Sequence, residues 1–169
     1  MKPTLKLAVC VIGAAAMTSA AWAKDPDYVS IPMEIAIKKP AVEVWARIGG
    51  WCVEGKWLYA TNTIPCEVTS GNGEMGSVRV VANRVTEVLV AKTELSYGYT
   101  QPAVEGTFNN LYHGFLEARP IDAKSSKVIY TLVLDMSDQA DQAAKDAFIA
   151  GRRKSIEGAL ANLKKVVED

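Results

Sequence analysis

Histidine is almost missing from this chain of 169 residues, which holds one His and three Cys. A structural zinc site takes four ligands of these softer types, which would use every one the chain has, so no metal is expected. Charge of one sign is lacking as well. Nineteen Lys and Arg balance nineteen Asp and Glu, which excludes a strongly basic nucleic-acid binder and a polybasic membrane-surface module. There is no C-x-x-C, no phosphate loop, no H-E-x-x-H and no Ser-His-Asp arrangement. Internal repeats and linkers are also absent. With 49% hydrophobic and 22% charged residues, the composition is that of an ordinary folded protein, and the length suits one domain.

The first 23 residues read as a signal peptide, and residues 24–169 as the domain. Lys2 and Lys6 form a short positive start. Leu7 to Ala20 is a run of about 14 small and apolar residues, and Ala21-Trp22-Ala23 gives the small-x-small pattern of a cleavage site. Spanning a bilayer takes roughly 20 apolar residues, so this run is a secretory signal and no membrane span is expected in the mature chain. The bulky Val9 before Cys10 argues against a lipoprotein site. Removing Lys2 and Lys6 leaves 17 basic against 19 acidic residues, a mature charge of −2. The expected location is periplasmic or secreted.

Export changes the meaning of the two remaining cysteines, Cys52 and Cys66. An even count in an oxidising compartment favours a disulfide. Closing a loop of about 15 residues would contribute roughly 3 kcal/mol through chain entropy. The alternative is a pair of buried thiols.

Hydrophobic period changes twice along the mature chain. Ile31 to Ile37 alternates as a strand, and Pro40 opens a short helical stretch with Val44, Trp45 and Ile48, ended by Gly49-Gly50. Trp51 to Tyr59 reads as a second short helix. Six strands follow, at Cys66–Thr69, Ser77–Ala82, Val85–Ala91, Thr93–Thr100, Leu111–Arg119 and Lys127–Asp135. Gly71-Asn72-Gly73, Pro102, Gly106 and Pro120 punctuate them. Ser137 or Asp138 is the expected N-cap of one long helix reaching Val167, with Ile149, Ile156, Leu160, Leu163 and Val167 on one face. Grouped strands followed by a helix indicate an α+β domain, with the helix laid on an antiparallel sheet. One helix face does not fill a curved seven-stranded sheet, so a cavity is expected between them.

Several motifs occur in a telling order: Pro40-Ala41-x-x-Val44-Trp45, Gly76-x-x-Arg79, Thr86-Glu87-x-Leu89, Tyr97-x-Tyr99, Tyr112 and a final amphipathic helix with Phe148. From Ile31 to Val167 the chain resembles the START/Bet v 1-like (SRPBCC) helix-grip superfamily, above all its polyketide cyclase/dehydrase-like branch and the plant abscisic-acid receptors. The resemblance implies a curved seven-stranded antiparallel sheet around the C-terminal helix, with two short helices after the first strand. The receptors' lysine before the second strand is missing, with Ala60 or Thr61 in its place, and their S-G-L-P gate loop is absent. A hormone-receptor role is therefore not expected.

Alternation turns Tyr112, Gly114, Leu116 and Ala118 inward, together with Val128, Tyr130, Leu132 and Leu134. His113, the only histidine, then points outward, which argues against an acid–base role. For the middle strands the resemblance implies that Arg79, Val81, Glu87 and Leu89 face inward, whereas apolarity alone would choose Val78, Val80 and Ala82. Tyr97, Tyr99, Tyr112 and Tyr130 become cavity walls, with Phe148 and Arg152 closing it from the helix side. On the other reading these tyrosines are core, and an Arg79–Glu87 pair closes the base of the domain.

Two functions follow. One is a carrier or sensor of a small hydrophobic molecule, aromatic or isoprenoid, needing no cofactor and oriented by Arg79, Glu87 and the tyrosine hydroxyls. The other is a cofactor-free cyclase, dehydratase or isomerase with Glu87 as general base and Arg79 or a tyrosine stabilising an anion.

Overall fold

The computed structural model describes residues 25–59, 63–102 and 111–169. The expected signal peptide with its expected cleavage site, Ala60, Thr61 and Gly106 lie outside the described residues. Strand β1 (Tyr28–Ile37) leads into helix α1 (Ala41–Ile48) and a 3-10 turn (Glu54–Lys56). Then come β2 (Cys66–Ser70), β3 (Val78–Val81), β4 (Val85–Lys92), β5 (Ser96–Gln101), β6 (Tyr112–Pro120), β7 (Ser126–Asp135) and helix α2 (Gln142–Glu168). The seven strands form one antiparallel sheet in the order β1-β7-β6-β5-β4-β3-β2. Register shifts at Val68/Ser70 and Leu89/Ala91 interrupt the ladder, and such bulges bend a sheet. This is the helix-grip architecture.

The inner face follows strict alternation on β7, where Ser126, Val128, Tyr130, Leu132 and Leu134 are buried and their neighbours are only half-buried. Opposite it, α2 buries Ile156, Ala159, Leu160, Leu163 and Val167. Each large aliphatic side chain removed from water in this way contributes roughly 1.5–3 kcal/mol. The Arg47 guanidinium donates to the Val166 and Val167 carbonyls at 3.0 and 3.1 Å, tying α1 to the end of α2 and satisfying acceptors that a helix terminus leaves free.

Three expectations are corrected. Between Trp51 and Tyr59 there is no second helix, only the three-residue turn. A Cβ on Gly55 would lie 2.3 Å from the Ile64 carbonyl oxygen, so the segment is pressed against a neighbouring backbone rather than coiled free of it. The N-cap of α2 is Asp141, whose carboxylate accepts from the Ala144 amide at 2.8 Å. Ser137 is instead held in a turn, its amide donating to the Asp135 carboxylate at 2.9 Å. Strand β5 begins at Ser96 because Thr93 is taken up in a turn closed by its amide on the Ser96 carbonyl at 2.9 Å.

Candidate functional site: a charged cavity wall

The site is built on three neighbouring strands and the segment before β2. Arg79 on β3 stands directly across the ladder from Glu87 on β4. Left-handed Gly76 (φ +86°) brings the chain into this register, its amide donating to the Leu89 carbonyl at 2.8 Å. Arg79 and Glu87 are both buried, as is Glu54 in the 3-10 turn. The Arg79 Nε donates to Glu87 Oε2 at 2.8 Å, and Nη2 lies 2.6 Å from the same oxygen. Nη1 donates to Glu54 Oε2 and to the Trp51 carbonyl, both at 2.7 Å. The guanidinium plane lies over the Trp51 ring, 3.9 Å from its centroid. A planar donor fork with an aromatic face suits arginine and not lysine.

One cation between two carboxylates leaves an excess of negative charge in a dry wall. Burial outweighs the attraction of Arg79 and pushes the Glu54 carboxyl up to about 7. Its Oε1 is buried without a hydrogen-bond partner. Glu87 Oε1 accepts from the Gln101 side-chain amide at 3.0 Å, so both of its oxygens are engaged. Burial raises the Tyr97 phenol to about 12 and holds Tyr99 and Tyr130 well above their ordinary values, so all three stay protonated at neutral pH. The Tyr99 and Tyr130 hydroxyls bond to each other at 2.5 Å.

These groups line a cavity of about 150 Å³ between the sheet and α2. Of the residues expected there, Arg79, Val81, Glu87, Tyr97, Tyr99, Tyr112, Tyr130 and Arg152 border it. Leu89 and Leu132 lie off this cavity, in the apolar core. Gly114 lies off it too, for a different reason. A Cβ there would come within 2.4 Å of the Tyr99 ring, so Gly114 makes the space that Tyr99 occupies. Phe148 packs against the core, with the Arg152 guanidinium 5.0 Å above its ring. His113 lies on the outer side of β6, half-buried beside Phe115, with ring centroids 6.3 Å apart.

Sequence reasoning missed Glu54, Trp51, Trp57 and Gln101. Gln101 carried a signal, because it shares strand parity with Tyr97 and Tyr99. Glu54 carried none of its own, since it sits in an irregular segment. That segment is fastened to β2 by a Cys52–Cys66 disulfide with a Cα–Cα distance of 5.5 Å. The two sulfurs and a Glu54 carboxylate oxygen lie within 4.8 Å of one another, the one such cluster among the described residues. Bonded sulfurs are not thiolates, and thiolate is the form that binds metal.

No curated protein matches the chain. Solved structures do resemble it. An aromatase/cyclase, ZhuI from Streptomyces sp. R1128, superposes with a TM-score of 0.65 at 13% identity, covering 84% of this chain and 94% of its own. Ara h 8.0201 superposes at 0.61 with 18% identity, over 83% and 98%. A Thermobifida fusca protein does so at 0.61 with 22% identity, over 82% and 95%. Likeness at these identities concerns the fold. No described helix is long and apolar enough to cross a membrane. Residues 28–168 match the family described as polyketide cyclase / dehydrase and lipid transport, and over that length the chain belongs to it.

Proposed function

We propose that this chain is an exported, periplasmic carrier that holds a small hydrophobic molecule between its sheet and its long helix. The observation that supports this reading is the cavity, about 150 Å³ in volume and walled by Tyr97, Tyr99, Tyr112 and Tyr130. A cavity of this size holds a benzene-sized guest, so one ring or a short branched chain suits it better than a long isoprenoid. Arg79 contributes little to the ligand directly, because four of its five N–H donors are taken by Glu54, Glu87 and Trp51. Its role is to hold the wall rigid. Native mass spectrometry of protein purified from the periplasm of a producing cell tests the proposal. A mature species starting at Lys24 with a co-purifying small molecule is expected. Unliganded protein that keeps its first 23 residues would count against both export and carriage.

A second reading, a cofactor-free cyclase, dehydratase or isomerase, draws on one observation. A carboxyl raised to about 7 beside a cavity is matched to proton transfer near neutrality. That carboxyl is Glu54; both oxygens of Glu87 accept hydrogen bonds, from Arg79 and Gln101. On this reading Glu54→Gln would keep binding and lower turnover by roughly 10²- to 10⁴-fold.

A further inference from the structure

The chain has six arginines. Arg47, Arg79, Arg119 and Arg153 each donate to a carbonyl or a carboxylate. Arg84 and Arg152 have no such acceptor among the described residues, and both line the cavity. They approach it from opposite elements. Arg152 projects from α2, half-buried, with its guanidinium 5.0 Å from the Phe148 centroid and 5.7 Å from that of Tyr112. Contact with two rings restrains the guanidinium, whose N–H groups meet no carbonyl or carboxylate among the described residues. Arg84 follows the β3–β4 turn, where Ala82 and Asn83 are both left-handed (φ 53° and 57°). Alanine in that region costs roughly 1–2 kcal/mol. The Ala82 amide anchors the turn on the Pro65 carbonyl at 2.8 Å. Ser155 borders the same cavity.

The cavity is therefore asymmetric in charge. Its wall on β3 and β4 holds a guanidinium already spent on two carboxylates. Arg84 and Arg152 are unspent among the described residues. We propose, extending the carrier reading above, that the ligand is an amphipathic anion: a single-ring carboxylate whose ring occupies the cavity and whose head group is bound by Arg152, with Arg84 assisting. An arginine fork matches a planar carboxylate with two parallel donors, and charge-assisted bonds of this kind are about twice as strong as neutral ones. With Arg79 engaged by Glu54 and Glu87, that wall offers the carboxylate no comparable cation, which leaves the tyrosine-lined space for the ring.

Isothermal titration of the disulfide-intact protein with cinnamate and with cinnamyl alcohol tests this, because the pair shares a skeleton and differs in charge. Cinnamate should bind about 10-fold tighter or better, the usual worth of a charge-assisted hydrogen bond. Arg152→Gln should bring the ratio near one, and an unfolding midpoint close to that of the unaltered protein shows that the variant is folded. Arg84→Gln should reduce the ratio by a smaller factor. Equal affinities in the unaltered protein would overturn the anion inference and leave the carrier reading standing, as would a preference for the alcohol. A ratio that survives both substitutions would overturn the assignment to these arginines. Failure of both compounds to bind would remove the single-ring carrier reading itself.

Discussion

The inner face of the sheet has two regions built on opposite principles. In one, β1, β6 and β7 meet the C-terminal half of α2 through Ile31, Leu116, Val128, Leu132, Leu160, Leu163 and Val167, all in one buried apolar cluster. In the other, β3, β4 and β5 bury a guanidinium and two carboxylates beside a cavity. The apolar region is stabilised simply by leaving water. Burying charges costs several kcal/mol per ion before their attraction returns it. A chain that only needed to hold its helix could have used one principle throughout. The charged region is therefore where function is expected to sit.

Substitutions should separate the two regions, with the largest effect in the charged one. Arg79→Met leaves Glu54 and Glu87 buried without their cation and should lower stability by about 3–5 kcal/mol in urea unfolding. Replacing all three charges together, as Arg79→Met with Glu54→Leu and Glu87→Leu, should recover most of that loss. If the triple variant is no more stable than the single one, the charges are not the cost assigned to them here. In the apolar region, Leu160→Ala should cost on the order of 2–5 kcal/mol and leave cavity binding intact. An unchanged unfolding midpoint would show that α2 does not pack as described. Reduction of the Cys52–Cys66 disulfide should cost roughly 3 kcal/mol. Because this bond fastens the segment carrying Trp51 and Glu54, ligand affinity should fall with it, as titration of the reduced and alkylated protein would show.

A further effect is one of pH. Folding raises the Glu54 carboxyl from 4.5 to about 7, so the folded state holds a proton that the unfolded state has released over that range. The resulting stabilisation is complete below about pH 4.5 and is lost as the pH rises to about 7. Its slope is close to 1.4 kcal/mol per pH unit where only the folded state is protonated. Glu54→Gln should remove this falling component from the stability profile. A profile unaltered by the substitution would place the Glu54 pKa at its ordinary value.

The same contrast explains what could be read from the chain. Alternation alone identified the inner sets of β6 and β7, because apolar packing and strand parity agree there. At β3 they disagree: Val78 and Val80 are more apolar than Arg79, yet Arg79 and Val81 are the buried pair. Only the family resemblance pointed the right way, since hydrophobicity cannot foresee a charge neutralised by a partner eight residues later. Glu54 was invisible for a related reason. Its burial depends on a tight turn against Ile64, a disulfide to β2 and a salt bridge to β3, none of which has a local period. Gly114, chosen as a wall residue by parity, instead makes room for Tyr99.

The central claim is that the charged region of the sheet, and not the apolar region or the outer face, is where a small molecule binds. Amide shift mapping by ¹H–¹⁵N correlation spectroscopy during a titration with cinnamyl alcohol tests it most directly. Saturable shifts should concentrate on Arg79, Glu87, Tyr97, Tyr99 and Gln101 and on Arg152 to Ile156 of α2, leaving Leu163 to Val167 unmoved. Shifts centred on that end of α2 or around the exposed side chains Val68, Val90 and Phe115, or no shift at all, would contradict it.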